Sequence, residues 1–125
     1  MTRWLVDGMN VIGSRPDGWW RDRRGAMRRL AEDLSEFARD TGDAVTVILD
    51  GAPFELTAEG VDVRFASRRG RNAADDDIAE LAATAGDAAA DLRVVTSDAD
   101  LERRVRAHAI PVEGAGAFRR RLGHG

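Results

Sequence analysis

The segment Arg3-Trp4-Leu5-Val6-Asp7-Gly8-Met9-Asn10 sets a pattern that recurs along the chain. Residues 3–6 predict a strand, and the Asp-Gly pair behind them predicts a turn. Ala44–Leu49 is a second apolar, partly β-branched run, and it ends in Asp50. Residues 92–96 form a third such run, followed by Ser97 and Asp98. Continuous apolar runs of this length are typical of strands buried on both faces of a parallel sheet.

Segments with helical spacing of apolar residues separate these runs. They cover about residues 22–41, a stretch starting at residue 72, and a stretch after Asp98. Alternation over residues 61–65 predicts a half-buried strand at a sheet edge. Residues 110–112 suit a short last strand, and residues 118–122 a final turn of helix. We therefore expect an α/β fold over residues 1–125: one domain, a Rossmann-like three-layer sandwich with a mainly parallel sheet.

The amino-acid composition excludes several classes of function. The chain has 125 residues and is 43% hydrophobic, and it contains no cysteine. No apolar run approaches the ~20 residues that cross a bilayer, and no signal peptide is evident, so we expect a cytoplasmic protein without membrane contact. All 19 basic residues are arginine. The absence of lysine excludes P-loop and Schiff-base chemistry.

Acidic residues follow the predicted strands. Ligands of parallel α/β sheets bind beyond the carboxyl ends of the strands, so Asp7, Asp50 and Asp98 should meet at one edge. Carboxylates that converge in this way suit Mg²⁺ or Mn²⁺. Such an ion can promote phosphodiester hydrolysis.

The Asp75-Asp76-Asp77 run opens the helix after residue 72. At about 100° per residue, the buried stripe of that helix places Asp75 on one flank and Asp77 on the other, with Asp76 facing solvent. We favour Asp75 as the inward carboxylate, with Asp77 as the alternative. The residues of the stripe are Ile78, Leu81, Ala82 and Ala85.

Each of these placements also has a purely structural interpretation. Ser97-x-x-Asp100 and Asn72-x-x-Asp75 both fit a capping-box pattern, and Asp7 could form an Asx turn with Asn10. The joint arrangement favours a site, because several carboxylates on one edge repel one another unless a cation is present.

Four segments resemble the NYN domain family within the PIN-like nuclease fold, most closely its YacP-like branch. They occur in the family's order between about residues 4 and 101. The segments are Leu5-Val6-Asp7-Gly8-Met9-Asn10-Val11-Ile12-Gly13, Val47-Ile48-Leu49-Asp50, Asn72-Ala73-Ala74-Asp75-Asp76-Asp77-Ile78 and Val95-Thr96-Ser97-Asp98-Ala99-Asp100-Leu101.

The resemblance implies a divalent-metal-dependent endoribonuclease that leaves 5′-phosphate ends. It implies that Asp7, Asp75 and Asp98 bind Mg²⁺ or Mn²⁺. Two further catalytic acids would be Asp50 and Asp100. Supporting hydrogen bonds would come from Asn10 and Ser97. The YacP-like branch includes a ribosome-associated endonuclease that cuts messenger RNA, so RNA (mRNA, tRNA or rRNA) and the ribosome are the expected partners of a monomer or homodimer.

Basic and aromatic residues near these motifs are candidates for RNA contact. We expect Arg68, Arg69 and Arg71 to bind phosphates. One tryptophan of the Trp19-Trp20 pair, assigned to Trp19, should stack on an unpaired base. For Arg28 and Arg29, pairing with helix acids on a solvated face is the favoured interpretation.

Two other functions remain open. A non-catalytic RNA- or ribosome-binding module is the principal alternative, although binding alone needs no cluster of like charges. A Toprim-like domain fits less well, because Asp7 stands where that fold places a glutamate.

Overall fold

Five parallel strands form a single sheet in the computed structural model, which describes residues 1–68, 70 and 72–122. The spatial order is β3-β2-β1-β4-β5. The strands are β1 (Arg3–Asp7), β2 (Ala44–Leu49), β3 (Val61–Phe65), β4 (Leu92–Val95) and β5 (Val112–Glu113). The order reverses at β1, which pairs with both β2 and β4. In open parallel sheets this reversal marks the place where ligands bind.

Helices cover both faces of the sheet, which confirms the three-layer sandwich. One face packs against α1 (Gly8–Gly13), α2 (Arg23–Thr41) and α5 (Ala115–Arg121). The opposite face packs against α3 (Ala73–Ala83) and α4 (Ala99–Arg106). Short 3₁₀ turns lie at Trp19–Arg21 and Gly86–Asp91.

The central strand β1 anchors both layers of the core. Alternate residues point to opposite faces, so Trp4 and Val6 enter the layer of α2, while Leu5 enters the layer of α3 and α4. The Trp4 ring packs 5.5 Å from Phe37 and 5.2 Å from Phe118, between ring centroids. Its indole N–H donates to Asp43 at 2.9 Å. The position of Asp7 at the end of β1 is therefore tightly fixed.

Helix α1 is the main departure from the sequence-based expectation of a turn after Asp7. Gly8 starts this helix because the backbone passes very close to β2. A Cβ at position 8 would lie 2.5 Å from Leu49 Cδ2 and 3.0 Å from the Ile48 carbonyl oxygen. Gly8 is thus a packing glycine rather than a turn glycine.

The ends of several elements also differ from expectation. Helix α5 begins at Ala115, three residues before the predicted start, and β5 covers Val112–Glu113 rather than residues 110–112. The proposed capping box at Ser97 is wrong. The N-cap of α4 is Asp98, whose carboxylate accepts from the Leu101 amide at 2.9 Å. Asn72 precedes α3 with a φ of 64° and makes no side-chain cap.

The helices in the described ranges are too short or too polar to cross a bilayer.

Replacing Gly8 by alanine should destabilise the fold. The added methyl group overpacks the α1–β2 contact, so Gly8→Ala should lower the free energy of unfolding by about 1–3 kcal/mol in urea denaturation. Gly116→Ala is the matched control, since a Cβ there meets nothing within 4 Å and alanine favours helix by up to about 1 kcal/mol. Equal stabilities of the two variants would contradict the packing role of Gly8.

Candidate active site

A cleft of about 210 Å³ opens at the carboxyl edge of the sheet, beside the order reversal at β1. Four aspartates line it, together with three other residues. The aspartates are Asp7, Asp50, Asp75 and Asp98, and the others are Met9, Asn10 and Asn72. The structure therefore brings together all but one of the acids that the sequence suggested.

Asp7 is the most buried of these acids, with 4% of its surface exposed. The Thr96 hydroxyl donates to its Oδ2 at 2.9 Å. The same hydroxyl oxygen accepts from the Asp98 backbone N–H at 3.1 Å. Thr96 thus links the end of β1 to the start of α4 and fixes the positions of two of the acids relative to each other.

Asp50 and Asp98 each bind the start of a helix. Asp98 caps α4 through Leu101, and Asp50 accepts from the Ala74 backbone N–H at 3.1 Å. Acceptors at helix N-termini satisfy free amide groups and favour the negative charge. Each of these carboxylates therefore holds a helix in place and also lines the cleft.

The three consecutive aspartates of α3 point in different directions, as the helical phase predicted. Asp75 faces the cleft. Asp76 pairs with Arg68 at 3.2 Å and with Arg104 at 3.1 Å. Asp77 accepts from the Ser67 amide at 2.6 Å and from its hydroxyl at 2.7 Å, which holds the loop before α3.

Asn10 and Ser97 connect α1 to the segment after β4. The Ser97 backbone N–H donates to Asn10 Oδ1 at 2.8 Å. The Ser97 hydroxyl oxygen accepts from the Ala115 amide at 2.8 Å, which ties the start of α5 to the same segment. Both residues thus make hydrogen bonds beside the acids of the cleft, while their supporting role in a metal site stays a prediction from the resemblance.

Burial and mutual repulsion change the acidity of two carboxyl groups. Loss of water raises the pKa of Asp7 from 3.8 to about 7; the Thr96 hydrogen bond opposes this shift, and the charges of Asp75 and Asp50 add to it. Burial also raises the pKa of Asp75 to about 6, with further repulsion from Asp98 and Asp50 and partial relief from Arg104. The cleft therefore favours a bound proton or cation.

The donor set fits a hard divalent cation that keeps part of its water shell. Within the described ranges, no three acidic or histidine side chains are grouped closely enough to enclose an ion by themselves. Mg²⁺ binds through one or two carboxylates and several waters, and Mn²⁺ accepts the same oxygen ligands. The four carboxylates of the cleft are of the type that such an ion needs.

Other suggested residues lie outside the cleft or outside the described chain. Asp100 is exposed and pairs with Arg103 on α4, so its assignment as a catalytic acid stays a prediction that this arrangement does not favour. Arg68 is exposed and pairs with Asp76. Arg69 and Arg71 lie outside the described residues. Trp19 packs half-buried against the core, while Trp20 is 58% exposed.

Thr96 is the site residue that sequence reasoning missed. In the sequence, Thr96 is the last residue of an apolar strand. In the structure it is fully buried, and its hydroxyl group donates to the Asp7 carboxylate and accepts from the Asp98 backbone N–H. The available signal was a polar residue at the end of a buried strand, directly before a suspected site. A hydroxyl without exposure to water must find partners in the protein.

The fold and the acidic cleft define an NYN/PIN-like α/β domain, a class whose members are usually nucleases. The sequence profile of the YacP-like NYN domain matches residues 4–122. The chain therefore belongs to the YacP-like NYN domain family.

Two crystal structures of Rae1 (YacP) from Bacillus subtilis are similar to the chain, one of them of a point mutant. The mutant superposes with a TM-score of 0.83 at 26% identity, covering 98% of this chain and 76% of that one. The other superposes with a TM-score of 0.82 at 26% identity, covering 98% and 74%. No curated protein matches the sequence.

Stability of the metal-free protein should fall as pH rises. Because the folded pKa of Asp7 lies near 7 and that of Asp75 near 6, the folded chain binds more protons than the unfolded chain above pH 3.8. The stability that this proton binding contributes is complete at low pH and is lost as pH rises through 6 and 7. In EDTA, Asp7→Asn should therefore be more stable than wild type by roughly 4 kcal/mol at pH 8 and by less than half of that at pH 5.

Urea denaturation at both pH values measures this difference. Asparagine keeps an oxygen that can accept from Thr96, so the variant should fold. Asp87→Asn, at an exposed acid away from the cleft, is the control and should follow wild type at both pH values. If Asp7→Asn kept the full pH dependence of wild type, a raised pKa of Asp7 could not be the cause of that dependence.

Proposed function

We propose that the chain is a divalent-metal-dependent endoribonuclease that hydrolyses RNA phosphodiester bonds. The observation that carries the proposal is the convergence of four carboxylates in one cleft at the order reversal of the sheet. Two of these groups have a raised pKa. Membership of the YacP-like NYN family supports the nuclease assignment.

Asp7, Asp75 and Asp98 are the residues that would hold Mg²⁺ or Mn²⁺, with Asp50 beside them. A bound ion of this kind supplies an activated water and neutralises charge on the phosphate. The protein's own contribution is to hold these carboxylates in position. Asp7 is fixed by Thr96, while Asp98 and Asp50 are fixed by the helix starts that they bind.

Asn10 would orient the substrate. Its Oδ1 accepts from Ser97, which leaves its amide NH₂ as a donor in a cleft otherwise lined mainly by acceptors. A phosphate oxygen of the RNA is the natural acceptor for such a donor. Release of 5′-phosphate products is part of the proposal and follows from the family resemblance.

A non-catalytic RNA-binding module is the competing proposal. It would not require Asp7 to be buried at the cost of a pKa near 7. Uncompensated carboxylates also repel the phosphates of RNA. The acidic cleft therefore favours catalysis over binding alone, while contact with the ribosome stays a prediction from the resemblance.

RNA cleavage should depend on Asp98 and not on Asp100. With unstructured end-labelled RNA and Mn²⁺, Asp98→Asn should lower the cleavage rate at least about 100-fold, the scale seen when groups around a catalytic metal are altered. Asp100→Asn should stay within about threefold of wild type, because Asp100 is exposed and pairs with Arg103. The Asp98→Asn substitution should leave α4 intact, because asparagine is also a good N-cap residue.

Three results would count against the proposal in different ways. Equal cutting by wild type and Asp98→Asn would identify the activity as contamination. Equal loss in both variants would place Asp100 in the catalytic set. RNA binding without cutting in Mn²⁺ or Mg²⁺ would favour the binding module, unless added ribosomes restore the cleavage.

A further inference from the structure

Arginines on the two faces of the sheet differ in whether a carboxylate neutralises their charge. On the side of α3 and α4, four arginines that the structure describes are paired with carboxylates. These pairs are Arg68 and Arg104 with Asp76, Arg103 with Asp100, and Arg106 with Glu102. Their charge is largely compensated, so this side offers little net attraction for a polyanion.

On the side of the first 3₁₀ turn and α2, four exposed arginines lie over aromatic rings. Arg21 lies 5.8 Å from the Trp20 ring centroid, and Arg23 lies 5.6 Å from that of Trp19. Arg24 and Arg28 lie 4.7 Å and 5.2 Å from the centroid of Phe54. None of the four forms an ion pair with any residue that the structure describes.

This finding changes the interpretation of Arg28. The sequence favoured pairing with acids on the surface of α2, but the structure places this guanidinium over Phe54 instead. An aromatic face holds a guanidinium in place without neutralising it. Its N–H groups therefore stay available for phosphate oxygens.

We define the arginine–aromatic surface as Trp19, Trp20, Arg21, Arg23, Arg24, Arg28 and Phe54; it lies on the face of the sheet that α1 and α2 cover. Phe54 lies four residues after Asp50 of the cleft, on the segment that leaves β2. Met9 lines the cleft and packs against the same core cluster as Trp19 and Phe54. A strand bound on this surface could therefore continue into the cleft.

We propose that the arginine–aromatic surface binds single-stranded RNA beside the cleavage site. Single strands are bound by positive surfaces that track the phosphates and by aromatic rings on which bases stack. Trp20, 58% exposed, is the ring available for stacking. The four arginines supply uncompensated charge for the phosphates. The delivery of the strand into the cleft rests on the proposed function, whereas the binding itself does not.

The arginine–aromatic surface should also bind single-stranded RNA in preference to duplex RNA. In a duplex the bases are stacked on one another, so Trp20 has no free base face to contact. The arginines can still attract duplex phosphates. Loss of Trp20 should therefore weaken binding of a single strand and leave binding of a duplex unchanged.

The test measures binding by fluorescence anisotropy in EDTA, with a labelled twelve-nucleotide oligouridine and a twelve-base-pair RNA duplex. Trp20→Ala should weaken binding of the single strand by about 5- to 50-fold and leave binding of the duplex within twofold. The double variant Arg24→Gln/Arg28→Gln should weaken both and lower the salt slope for the single strand by about 1.4, at about 0.7 for each lost phosphate contact.

The matched control is Arg103→Gln/Arg106→Gln, which removes the same charge from exposed, paired arginines of α4. It should stay within twofold of wild type for the single strand. Equal weakening by both double variants would show that the effect depends only on net charge, and would overturn the proposal. The proposal would also be overturned if Trp20→Ala bound the single strand as tightly as wild type does. If Arg24→Gln/Arg28→Gln loses the packing against Phe54 and unfolds, the comparison of Trp20→Ala with wild type still tests the proposal.

Failure of this proposal is separable from failure of the nuclease assignment. Binding is measured without metal, so an inactive protein can still show a dependence on Trp20 and the arginines. Conversely, a protein that cuts RNA in Mn²⁺ but binds oligouridine independently of these residues keeps the nuclease assignment and overturns the binding surface.

Discussion

Burial of acidic side chains at the end of a rigid sheet, to which their mutual repulsion adds, is the constraint on which the other features of the site depend. Asp7 leaves β1 with most of its surface buried, and its pKa rises to about 7 because water is excluded and Asp75 and Asp50 lie nearby. Such an arrangement destabilises the folded chain wherever Asp7 is ionised. A bound divalent cation would reverse that cost, so the proposed metal site would exchange stability for affinity.

Several local features hold the acids together against this repulsion. Gly8 lets α1 pack directly on β2, and the Thr96 hydroxyl bridges Asp7 to the start of α4. Asp50 and Asp98 bind the first turns of α3 and α4. The result is a cleft in which Asp7, Asp50 and Asp98 are held in place by hydrogen bonds. Preorganisation of charged groups is a major source of catalytic power in enzymes.

Much of this arrangement could be predicted from local pattern alone. Apolar runs that end in aspartate identify Asp7, Asp50 and Asp98, because the direction of strands in a parallel sheet places their carboxyl ends on one edge. Helical phase separates Asp75 from its neighbours Asp76 and Asp77. These inferences need only the periodicity of strands and helices.

Features that depend on tertiary packing could not be predicted in this way. The role of Gly8 arises from contacts with residues 39 to 41 positions away, and that of Thr96 from a contact with a residue 89 positions away. Arg28 contacts Phe54, which no helical spacing reveals. Asp100 is a case in which local pattern and packing differ: its Asp-x-Asp spacing suggests a site residue, whereas α4 directs its side chain toward Arg103, so its catalytic role stays a prediction.

The most direct test of the account is a crystal structure of the protein grown with Mn²⁺, with anomalous diffraction measured near the manganese absorption edge. We expect an anomalous peak in the cleft, from an ion coordinated by at least one of Asp7, Asp75 and Asp98 and otherwise by water. An empty cleft at saturating Mn²⁺ and pH 8, or a peak only elsewhere on the surface, would contradict the claim that these acids form a divalent-cation site.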